Sequence, residues 1–140
     1  MNGKNNEENT MQVLQPAGWA RPRGYANGIA ASGRTVYVSG MIGWDAQGQF
    51  HTDDFAGQVR QALQNIVAVL AEAGALPEHI VRMTWYVLDK KEYVAAYPHI
   101  GVAYREIIGK HFPAMTAVQV AGLIEDRAKV EIEVTAVLPE

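Results

Sequence analysis

Two glutamates, Glu131 and Glu133, stand on either side of Ile132 near the end of the chain. In an extended segment that spacing puts both carboxyl groups on one face. A desolvated pair there can divide acid and base work, whereas a solvated pair simply lines a strand. Little else has the spacing of a catalytic or metal-binding motif. His51, His79, His99 and His111 include no pair at i, i+4, so a helical zinc motif is absent and no metal is expected. Ser32 and Ser39 are the only serines, and neither lies in G-x-S-x-G. No G-x-G-x-x-G or Walker lysine loop supplies a nucleotide cradle. With no cysteine in the chain, disulfides, thiolate metal sites and a cysteine nucleophile are excluded together. The chemistry is left to oxygen and nitrogen groups.

Composition bounds the partners. The 140 residues suit a single domain, and 49% apolar against 19% charged residues suits a compact core. A net charge of −3 without a basic cluster gives nucleic acid no electrostatic footing. Residues 1–12 are polar and rich in Asn and Glu, so they read as a disordered tail preceding one domain over residues 13–140. No stretch approaches the ~18 uninterrupted apolar residues of a membrane span, so no membrane contact is expected and the location is read as cytoplasmic.

Such residues need elements to hold them. From Tyr25 to Ile42 the chain reads as a hairpin, strongest at Thr35 to Ser39, and Asp45-Ala46-Gln47-Gly48 supplies turn chemistry. Phe55, Val59, Ala62, Leu63, Ile66, Val69, Leu70 and Ala73 recur at helical spacing. They predict an amphipathic helix of about five turns, capped by Asp53 or Asp54 and ended by Gly74. A strand follows over Val81 to Leu88, with Trp85 and Tyr86 on opposite faces. A second helix spans Tyr93 to Ile108, and Pro98 either kinks it or opens its second part. Thr116 to Leu123 and Lys129 to Val137 close the chain as strands. The order β-β-α-β-α-β-β predicts an α+β fold, one sheet with two helices on one face. The other face, carrying Tyr37 and either Trp85 or Tyr86, is apolar enough to predict burial in a closed homo-oligomer.

Five segments, taken in order and spacing, resemble the RidA/YjgF family, also called Rid proteins. They are Gly24-Tyr25-Ala26-Asn27-Gly28, Val38-Ser39-Gly40-Met41-Ile42, the long helix, Phe112-Pro113-Ala114-Met115-Thr116 and Lys129-Val130-Glu131-Ile132-Glu133. The resemblance runs from about Pro22 to Val137. It implies a chorismate-mutase-like fold, a homotrimer with an inner β-barrel, and ligand clefts between subunits. It also implies a cofactor-free hydrolase of enamines and imines, or a small-metabolite binding module of the same shape without turnover. An endoribonuclease-like activity would need a basic path that this charge balance lacks.

Residue by residue, the resemblance implies substrate-binding roles for Tyr25 and Ser39 and a catalytic role for Glu131, which would hold the attacking water. Trp44 adds an aromatic wall to the cleft or packs internally. Where relatives carry an arginine that grips a substrate carboxylate, this chain has Met115, which marks an arginine-lacking subgroup. A thioether has no charge to offer, and losing one charge-assisted pair costs about 1.5–3 kcal/mol of binding. The cleft beside Met115 is therefore expected not to clamp an anion unless another guanidinium reaches it, with Arg21, Arg23, Arg34 and Arg127 as the candidates.

Overall fold

The computed structural model of the chain describes residues 11–140. Its centre is the last strand, β6 (Val130–Leu138), in which Val130, Ile132, Val134 and Ala136 are buried while Glu131, Glu133 and Thr135 face the other way. That alternation places β6 inside a four-stranded sheet ordered β3-β6-β4-β5, where β3 is Arg34–Met41, β4 Ile80–Val87 and β5 Ala114–Gln119. The β3/β6 and β6/β4 pairs are antiparallel, and β4 and β5 run parallel. Parallel neighbours need a crossover, which is supplied by α2 (Lys90–Ala95) and α3 (Tyr97–Ile107). Pro98 lies in the first turn of α3, so it opens the second part of the helical run, where its missing N–H has no intrahelical partner to lose.

The long helix α1 (Phe55–Glu72) starts on Asp54, whose carboxylate accepts from the Gly57 N–H at 2.8 Å, and Gly74 follows its end at φ +73°. Phe55, Val59, Ala62, Leu63, Ile66 and Leu70 are buried against the sheet. Tyr93 of α2 and Ile100 and Tyr104 of α3 join the same core, so α1, α2 and α3 cover one sheet face and the architecture is α+β.

Three expectations change. A further strand, β1 (Met11–Leu14), pairs antiparallel with β2 (Gly28–Ala31) as a separate two-stranded sheet, so the predicted single sheet is two. Residues 1–10 of the predicted tail lie outside the described residues, and the boundary drawn at residue 12 falls inside β1. The hairpin read from Tyr25 to Ile42 does not form, because β2 pairs with β1 and β3 pairs with β6. Gly33, at φ +141°, turns the chain between them where a Cβ would collide with the Leu138 carbonyl, so the strands diverge instead of folding back. Finally, the uncovered sheet face is mixed rather than apolar. Trp85 points into the core, leaving Tyr37 (78% exposed), Val118 and Tyr86 among Thr35, Ser39, Thr84, Glu131 and Glu133.

Candidate functional site

Strand β5 is an edge strand, and the helices do not fully roof its inner side. Met115 pairs in register with the buried Met83, so its side chain lies on the helix-covered face, half-buried against the core. Beside it opens a cavity of about 520 Å³. Its floor is Met115 and Ala117 of β5 with Trp85 of β4. One wall comes from α2 and α3 through Tyr93, Tyr97, Gly101 and Tyr104, and another from the loop before β5 through Phe112. The third wall is the segment Arg23-Gly24-Tyr25. This segment is fixed by Ala26, whose N–H donates to the Pro113 carbonyl at 2.9 Å and which bridges Ala114 in parallel. Two residues far apart in sequence, Tyr25 and Met115, thereby line the same space.

The cavity is aromatic and positive. Trp85 and Tyr93 stand 6.0 Å apart, Tyr93 and Tyr97 meet edge to face at 5.2 Å, and Tyr104 stacks on Phe112 at 5.5 Å. Burial pushes the Tyr104 phenol well up; burial and then the neighbouring Tyr97 push Tyr93 up as well. Both phenols are therefore neutral at physiological pH. The Tyr104 hydroxyl donates to the His111 carbonyl at 2.6 Å. The charged side chains lining the cavity are Arg23, Arg105 and Lys110, with no carboxylate or imidazole among its lining residues.

Met115 brings no charge to this cavity, but cationic side chains line it elsewhere, including one of the arginines the sequence offered as a substitute. Of the four arginines considered from sequence, Arg23 reaches the cavity. Arg34 is spent on the Ala73 carbonyl at 2.7 Å, Arg127 pairs with Asp53 at 2.9 Å and lies over Phe50, and Arg21 is exposed away from it. Arg105 and Lys110 were missed. The signal for Arg105 was the spacing of Tyr97, Gly101, Tyr104 and Arg105, one continuous stripe on a helix.

The remaining predicted site residues lie elsewhere in the chain. Glu131 is on the opposite face of the sheet from Met115, packed across Gly40, where a Cβ would collide with its carboxylate. Ser39, next to that glycine, is exposed on β3. Glu133 accepts from the Tyr86 hydroxyl at 2.6 Å, a bond that pushes the Tyr86 phenol up. Trp44 packs on Phe50 at 6.1 Å across the predicted turn, and its carbonyl accepts from Asn65 at 2.8 Å. A single chain therefore brings together Tyr25 and Met115 and leaves Ser39, Glu131 and Trp44 outside that cavity. Among the described residues no cluster of three His, Asp or Glu could hold a metal ion, and no helix is long and apolar enough to cross a membrane.

Comparison with known proteins places this geometry in context. The family model described as Endoribonuclease L-PSP matches residues 19–138. A RutC family protein of Synechocystis is 35% identical over 133 residues, covering 93% of this chain and 98% of that protein. A human protein named 2-iminobutanoate/2-iminopropanoate deaminase is 32% identical over 105 residues, 74% of this chain and 73% of its own. Among solved structures, the Rid family protein YyfB of Yersinia pestis superposes with a TM-score of 0.81 at 29% identity, covering 92% of this chain and 99% of that one.

Proposed function

Because the chain belongs to the RidA/YjgF family, that of the Endoribonuclease L-PSP model, we propose that it binds a small imine or enamine in the cavity beside Met115 and hydrolyses it. The observation that carries this reading is the convergence of Tyr25 and Met115 on one cavity. The human relative's name supplies the reaction class. Water adds to the C=N carbon, the nitrogen takes up a proton, and cleavage of the C–N bond releases ammonia and leaves a carbonyl.

The cavity of one chain has no carboxylate to orient that water. Glu131, on the far face of the sheet, would have to come from a neighbouring copy, so the reading includes a homotrimer whose clefts lie between subunits. Tyr25 would close over the ligand, and Ser39 would act beside the neighbour's Glu131. No cofactor is required for this chemistry.

The lack of a carboxylate or imidazole among the lining residues favours a second reading, capture without turnover. One assay separates the two. An amino-acid oxidase generates 2-iminopropanoate or 2-iminobutanoate in situ, and ammonia release is followed with and without the protein. Acceleration, lost by a hundredfold or more in Glu131→Gln, is the expected result, in line with the usual contribution of a positioned acid–base group. No acceleration together with a ligand-dependent rise in Tm would leave the binding reading standing.

A further inference from the structure

We propose that the cavity is built for an anionic ligand with an aromatic body, the class of an aromatic 2-imino acid and its 2-oxo product, with Arg105, Arg23 and Lys110 as its anion clamp. This rests on the functional reading above for the imine itself, but not for the ligand's shape or charge.

Size is the first argument. At about 520 Å³ the cavity exceeds many times over the volume on the order of 30 Å³ that one liquid water occupies. It falls in the range of sites that enclose whole ring-bearing molecules, and a two- or three-carbon side chain would leave most of it unfilled. The walls are the second argument. Trp85 with Tyr93 on one side and the stacked Tyr104 and Phe112 pair on the other offer faces and edges to a planar ring. The Met115 thioether adds a polarizable contact that a cation in its place would not.

One further observation points to a guest. Gly101 sits inside α3 and lines the same cavity, and a Cβ added there would meet nothing within 4 Å. Glycine in a helix interior costs stability, and no contact within the protein explains it. Room for a ligand does.

Charge supplies the polarity. Arg23, Arg105 and Lys110 are exposed, line the cavity and form no ion pair among the described residues, so their charges are available to a ligand. A guanidinium fork holds a carboxylate through two parallel hydrogen bonds, so Arg105 and Arg23 take over the anchoring that Met115 cannot perform.

The test is calorimetric titration of the full-length protein with phenylpyruvate and with 2-oxobutanoate. Phenylpyruvate should bind at least tenfold more tightly, Arg105→Met should weaken it at least tenfold, and Arg105→Lys should recover part of the loss. Gly101→Leu should abolish binding while keeping the Tm within a few degrees of Gly101→Ala, which serves as the folded control. Equal or weaker binding of phenylpyruvate, or binding unmoved by Arg105→Met and Arg23→Met, overturns the proposal. The two readings fail separately. Tight phenylpyruvate binding without imine hydrolysis removes the deaminase and leaves this site, while hydrolysis of short imines without phenylpyruvate binding does the reverse.

Discussion

Gln58 is fully buried on α1, and its amide is used at every turn: Nε2 donates to the Thr52 and Arg127 carbonyls at 3.1 and 3.0 Å, and Oε1 accepts from the Lys129 N–H at 2.8 Å. It ties the first turn of the long helix to the chain entering β6. Gln58→Leu should keep the volume but strand those backbone groups, lowering stability by about 2–3 kcal/mol in urea unfolding. Tyr104 gives a pH signature. Burial raises its phenol in the folded state, so its contribution is complete below the ordinary tyrosine value of about 10 and fades as pH climbs through the folded value. Stability should therefore fall on the alkaline side from about pH 10, and Tyr104→Phe should flatten part of that slope. At this scale the sequence revealed residue types but not directions. Glu131 and Glu133 were correctly assigned to one face, whereas the convergence of Arg23, Arg105 and Lys110 depends on a loop, a helix and a helix end meeting in space.

The elements were legible where local chemistry set them. The apolar stripe of α1, a cap at Asp53 or Asp54, the alternation of β6 and a kink or opening at Pro98 all follow from short-range spacing, and the structure selects Asp54 and the opening. Asp54→Ala should cost about 1 kcal/mol by chemical denaturation, because the Gly57 N–H loses its acceptor in the first turn. Pairing was less legible than strand existence. A run such as Gly28–Ala31 has no turn chemistry that names its partner, so nothing local in it signals pairing with β1 rather than β3. The four residues of β1 are too few for a period to register, which is why the tail boundary was drawn through them, with Met11 and Gln12 on the tail side.

For the molecule as a whole, the uncovered sheet face and the catalytic reading lead to the same measurement. If Glu131 must reach a neighbour's cavity, the protein in solution should scatter light as about three copies of its 15.3 kDa chain. Tyr37, 78% exposed on that face, tests the contact. Tyr37→Asp should leave the isolated fold unstrained and shift the assembly towards single chains, with any imine hydrolysis falling alongside. A single-chain mass for the unaltered protein would remove the neighbour's carboxylate from the reaction.

The bridge from Ala26 to Pro113 and Ala114 acts as a latch. It joins the segment bearing Tyr25 to the strand bearing Met115, so a guest touching both fastens the same seam a second time. In heavy water the Ala26 amide would then exchange its proton more slowly while the chamber is filled. That single backbone proton would report occupancy for a site that has no colour of its own.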